Sequence, residues 1–146
     1  MPTSLSLPTQ LGPLLVTLVY LALYYAFQIN ILAVKTRLQR EYKARDEKFD
    51  RYFGQDRHLL AADRYQLNML EHMPPFLALL WLNAVFVGTQ GATVAGGLYV
   101  AARLAYPLLM GRRLGRGIQN KLMLSTGLGY AVLLYFMVAL LWSAAR

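Results

Sequence analysis

Apolar positions along this chain fall into four long blocks rather than at the three-and-four spacing of a soluble amphipathic helix. Leu11 to Val34 holds no charged residue, and Met73 to Val87 is apolar apart from Asn83. Gly91 to Met110 holds the single charge of Arg103, and Leu122 to Trp142 holds none. Each block is close to the ~20 residues that a helix needs to cross the hydrocarbon core of a bilayer. The second reaches that length if its helix starts near Arg64. The pattern predicts an all-α membrane protein of one domain, a four-helix transmembrane bundle. Its spans are 11–34, 64–87, 91–110 and 122–142, with a polar loop over 35–63.

Charge then orients the bundle. Of the fifteen Lys and Arg residues, eight lie in "KTRLQREYKARDEKFDRYFGQDRH" between the first two spans, and four more lie in "GRRLGRGIQNK" between the last two. The connection around "GTQGAT" and the N-terminal tail have none. The positive-inside rule therefore puts both basic loops in the cytoplasm and both termini outside. The net charge of +8 is accounted for by topology, and the first loop mixes its bases with six acids, so no nucleic-acid partner is expected. Without cysteine, thiol usage says nothing about compartment. The N-terminal apolar stretch lacks a basic lead and is too long for a cleaved signal, so it is taken as the first span. A bacterial inner membrane is the expected host.

Within the first loop, opposite charges four apart, Arg37–Glu41 and Lys43–Glu47, predict that the first helix runs past the membrane surface for a few turns. Gly54 is the expected break before the second helix. Ala92 with Gly96, and Gly127 with Ala131, have the four-residue spacing of small side chains that lets helices approach closely in lipid.

The stretch "DRYQLNMLEHMPPF" carries polar groups into the second span. Glu71 lies seven residues beyond Arg64, about 10 Å along the axis, and Arg103 lies about as deep in the antiparallel third helix. Gln28 reaches the same level in the first. Asn68, Tyr106 and Asn30 lie one turn nearer the cytoplasm. At 100° per residue, Arg64, Asn68 and Glu71 fall within about 60° of one another. An unpaired charge in a bilayer costs on the order of 3 kcal/mol, so a Glu71–Arg103 ion pair is expected. Such a pair could serve only to pin two helices. Arg64, Asn68 and Tyr106, however, supply more donors than one carboxylate absorbs, which points to an anionic guest. His72 reads as a packed histidine without a metal partner, and no metal is expected. Pro74 and Pro75 deprive the carbonyls of Leu70 and Glu71 of helical donors, predicting a kink or widened turn.

The run "RYQLNMLEHMPPFLALLW" followed by "GGLYVAARLAY" resembles the MAPEG family, the membrane-associated proteins in eicosanoid and glutathione metabolism. It is nearest the leukotriene synthase and microsomal glutathione transferase branch. The specific element is Arg64, Gln66, Asn68, Glu71 and Pro74 on the second span, with Arg103 and Tyr106 on the third. The resemblance is specific over roughly Ala61 to Tyr106. It implies a homotrimer with glutathione at each subunit interface near the cytoplasmic face. Arg64, Asn68, Glu71 and Tyr106 would hold the tripeptide, and the neighbour would supply Gln66 and a base, Lys35 or else Arg37. Because Gln66 lies about 200° around the helix from Arg64, a shared interface uses both more readily than one subunit does. Catalytic members carry an arginine where this chain has Gly117 or Gln119, and many carry a tyrosine at Met110. Arg116 is the nearest base.

The resemblance implies a glutathione-dependent transferase or peroxidase acting on a lipophilic electrophile or hydroperoxide that enters from the lipid. Arg116 would lower the thiol pKa, since only the thiolate attacks well. The departures leave open a non-catalytic lipid- or glutathione-binding membrane partner of the same family. A small proton-coupled drug exporter, also of four helices, would require a carboxylate in its first span, and this chain has none there.

Overall fold

The computed structural model describes residues 7–115 and 120–146, in four helices: α1 (Leu7–Ala44), α2 (Arg57–Phe86), α3 (Thr89–Met110) and α4 (Leu122–Ala144). No strand occurs among the described residues. All four helices are long and apolar enough to cross a membrane. Here α2 and α3 form the centre, each packed against all other helices, whereas α1 and α4 flank them on opposite sides and do not pack together.

The core is built from one face of each helix. Tyr20, Phe76, Leu80, Tyr99 and Phe136 are fully buried, and Phe76 stacks on Tyr99 with ring centroids 4.0 Å apart. Leu11, Ile29, Leu104, Leu108, Leu124 and Leu141 point outward. That inversion suits a solvent of acyl chains, in which packing and hydrogen bonding bind helices to one another. Gly96 shows the close approach expected of small residues: a Cβ there would lie 2.8 Å from Leu80 Cδ1 and 2.9 Å from Val16 Cγ1. The expectation for Gly127 and Ala131 is corrected. Among the described residues no other helix comes within 4 Å of a Cβ at Gly127, Ala131 is exposed, and the tight glycine of α4 is Gly129.

Polar side chains end the helices where the chain leaves the apolar layer. Past the predicted span, α1 continues to Ala44, with Arg37 paired to Glu41 at 3.3 Å. Arg45 meets Glu47 at 3.4 Å instead of the expected Lys43–Glu47 pair, because the helix has already ended and Asp46 takes a positive φ of 56°. Asp50 accepts the amides of Tyr52 and Phe53 in the connection that contains Gly54. Asp56 caps α2, accepting from the amides of His58 at 2.8 Å and Leu59 at 3.4 Å, while Tyr42 of α1 donates to its other oxygen at 3.1 Å. Capping thus starts α2 at Arg57, ahead of Arg64. The widened turn expected at Pro74 and Pro75 is not formed: α2 stays helical through both. The α3 C-terminus closes on Gly111, whose φ of 75° favours glycine and whose amide donates to Pro107 O at 2.9 Å.

Candidate functional site

Arg103 is the centre of the polar layer. Only 1% of it is exposed, and its guanidinium lies 4.7 Å from the Tyr99 ring. Its Nη1 donates to Asn68 Oδ1 at 2.5 Å and its Nη2 to Tyr99 OH at 2.9 Å, while Nε has no partner. Space for this head comes from α4. A Cβ on Gly129 would stand 2.7 Å from Nη2, so a larger residue would drive the guanidinium from its place. Above it, Tyr20 OH donates to Met69 O at 2.6 Å and Ser125 Oγ to Ala102 O at 2.6 Å, tying α1 to α2 and α4 to α3.

The expected Glu71–Arg103 ion pair is not formed. Among the described residues the ion pairs are Arg37–Glu41 and Arg45–Glu47, and Glu71 is exposed. Helical rotation explains it. Asn68 sits on the inner edge of the stripe, whereas Glu71, about 60° further round, faces outward between α2 and α4. Arg103 is therefore held by a neutral amide and a phenol, and no carboxylate among the described residues pairs with its charge.

This geometry sets Asn68 in one orientation. With Oδ1 taken by Arg103, the amide Nδ2 remains as a donor without a partner among the described residues, as does the hydroxyl of buried Tyr106. Arg64 and Glu71 are exposed on the same side of α2 and enter no ion pair. Glu71 and His72 begin a groove of about 600 Å³ that continues along Pro75 and Leu79 of α2 and from Tyr130 to Met137 of α4. His72 packs edge-on against the Tyr130 ring, with centroids 5.2 Å apart, in keeping with a packed histidine.

Gln66 points elsewhere. Its Nε2 donates to Tyr24 OH at 3.4 Å, and Gln28 Nε2 donates to the same oxygen at 2.8 Å. Of the two candidate bases on α1, Lys35 is half-buried with Nζ 5.6 Å from the Tyr52 ring centre, and Arg37 pairs with Glu41. Neither is brought to Arg64 within the chain, so the predicted residues form two sets, Arg64–Asn68–Glu71–Tyr106 and Gln66–Lys35–Arg37. Arg116, Gly117 and Gln119 lie outside the described residues. Met110 is buried beside Ala61, Tyr65 and Tyr106 in an apolar cluster.

Sequence reasoning missed Tyr24 and Gly129. The first stands four before Gln28, a spacing that could have flagged it. The second had no signal beyond being a glycine inside a helix.

The family model that matches the chain is that of the MAPEG family, over residues 13–142. The chain belongs to the MAPEG family. That family includes glutathione transferases and peroxidases as well as other members. No curated protein matches the chain. Membership, with four helices of spanning length, makes this an integral, multi-pass membrane protein.

Proposed function

We propose that this MAPEG protein is a glutathione-dependent membrane transferase or peroxidase acting on a lipophilic electrophile or hydroperoxide. One observation carries the proposal. Arg103 holds Asn68 by its oxygen, leaving the Asn68 amide and the Tyr106 hydroxyl as open donors on the side of Arg64 and Glu71, which enter no ion pair among the described residues. Glutathione offers the complement, two carboxylates and one ammonium. Arg64 takes a carboxylate, Glu71 accepts from the ammonium, and Asn68 and Tyr106 donate to the remaining oxygens. The buried, uncompensated charge of Arg103 favours an anion at this level.

The second set of residues supports a shared site. Gln66, Lys35 and Arg37 face away from Arg64, so they complete a glutathione site only from a neighbouring subunit, in a homotrimer. By the positive-inside rule this level lies near the cytoplasmic face, with both termini outside, and a bacterial inner membrane is the proposed host. The groove from Glu71 to Met137 suits an apolar co-substrate arriving from the lipid. For turnover, the thiol must ionise, and Arg116 is the proposed cation beside the sulfur. The thiolate then forms a bond to the electrophilic carbon as the leaving group departs.

One observation favours a second reading. Met110, where many members carry a tyrosine, is packed into an apolar cluster and adds no donor. A non-catalytic lipid- or glutathione-binding partner would keep the binding set and lose the activating one. Conjugation of glutathione to a chromogenic chlorodinitrobenzene by the purified protein, and reduction of a lipid hydroperoxide, separate the two. Activity that falls by about a hundredfold in Arg116→Ala supports the enzyme, since a positioned charged donor contributes on that scale. Absence of turnover with either substrate, alongside glutathione binding, assigns the partner role.

A further inference from the structure

A second polar cavity lies at the basic end of the bundle, inside one chain and away from the Arg64 stripe. It has a volume of about 320 Å³ and lies between α1, the first turns of α2 and the segment after α3. Asn30 and Arg37 line it from α1, His58 and Tyr65 from α2, and Arg112 from beyond α3. None of its lining residues is acidic. Tyr65 follows Arg64 by one position, so the cavity faces about 100° away from the Arg64 side of α2.

The walls are fixed by hydrogen bonds that do not consume the cationic heads. Tyr65 OH donates to Gly111 O, His58 Nδ1 donates to Arg112 O at 2.9 Å, and Arg57 Nε donates to Leu114 O at 2.6 Å. Leu114 N returns a bond to Arg57 O at 3.0 Å. These bonds strap the 111–114 segment to the start of α2 and carry Arg112 to the rim. Its guanidinium has no partner among the described residues. Arg37 gives only Nε to Glu41, in a pair half-exposed on both sides, so both η nitrogens stay available. An exposed pair of this kind offsets little of the charge. Ala33 and Ala62, small residues on facing helices, leave the room between.

We propose that this cavity binds a phosphate-bearing anion through Arg37 and Arg112, which leaves Lys35 as the α1 base for the shared glutathione site. Glutathione does not suit it, because the tripeptide's ammonium would find no carboxylate in the lining. A phosphate group suits it well, since two arginines and the Asn30 amide supply donors at once. Arg37 lies three residues beyond the end of the first apolar block, which puts the cavity at the membrane–water boundary where acidic phospholipid headgroups sit.

The test uses the full chain in nanodiscs of phosphatidylcholine alone or mixed with phosphatidylglycerol. Native mass spectrometry reads the retained lipid, and a thermal shift with inorganic phosphate is run in phosphatidylcholine alone. Preferential retention of phosphatidylglycerol, reduced about tenfold by Arg112→Ala, is the expected result for a headgroup source, given the strength of charged hydrogen bonds. Stabilisation by inorganic phosphate that disappears in Arg112→Ala supports the same site with a free anion. Ala33→Leu, at an exposed position, fills the room without altering charge and has the same effect in either arm. Arg113→Ala, a neighbouring arginine outside the lining, does not. Equal retention of both lipids together with no phosphate shift, or losses identical in Arg112→Ala and Arg113→Ala, overturns the proposal.

Discussion

Arg103 has two neutral partners and a glycine-shaped space, and this makes Gly129 as necessary to the polar layer as the arginine itself. Replacing Gly129 with valine puts a Cβ 2.7 Å from Nη2, so the guanidinium must move and Asn68 loses its fixed oxygen contact. The expected cost is about 1–3 kcal/mol, the usual range for overpacking. Thermal unfolding of Gly129→Val in detergent checks this, and a midpoint equal to wild type would show that the space is not needed. The residue scale is also where the sequence was least legible. Charge counting pairs Glu71 with Arg103, because each is the lone acid or base within its span. A few tens of degrees of helix rotation decide instead for Asn68, and no one-dimensional pattern records that rotation. The open donors of Asn68 and Tyr106 were foreseeable as a stripe; the glycine that makes room for Arg103 was not.

Helix α2 begins where Asp56 caps it, and that carboxylate links three pieces of the chain. Burial raises its pKa, but hydrogen bonds from the His58 and Leu59 amides and from Tyr42 OH outweigh this and hold it below the ordinary 3.8. A depressed carboxylate stabilises the fold at pH above its unfolded value, and that stabilisation is lost as pH falls through the folded value. Asp56→Ala is therefore expected to cost about 0.5–2 kcal/mol at neutral pH, as an N-cap does. The gap between the variant and wild type should close below pH 3.8, where thermal melts across an acid series would detect it. A gap unchanged by acid would contradict the charged cap. At this scale the sequence was largely readable. Four apolar blocks of spanning length became four helices, and the charged extension of α1 followed from its i,i+4 pairs. Missed were the early start of α2 and its unbroken passage through Pro74 and Pro75. The first was set by a cap in what looked like a loop. The second is continuity of the helix, since the turns on either side of the two prolines keep their own backbone bonds.

The whole molecule presents its two sets of polar residues in directions that one chain cannot unite. Glu71 looks out beside α4 and Arg64 is exposed, while Gln66 donates to Tyr24 of α1, the helix on the opposite flank. A closed ring of subunits, α1 of one beside α4 of the next, would bring them together. Light scattering in detergent is expected to give three times the 16.5 kDa chain mass, and a monomer at all protein concentrations would contradict the shared site. The central claim is that the Arg64 stripe grips glutathione, and calorimetry tests it most directly. Titrating glutathione into the purified protein should show saturable binding that Arg64→Ala weakens about tenfold or more, as loss of a charged hydrogen bond requires. Because Arg64 is exposed, its replacement leaves the packing of the helices in place. Absence of binding, or binding equally tight in Arg64→Ala, would contradict the claim.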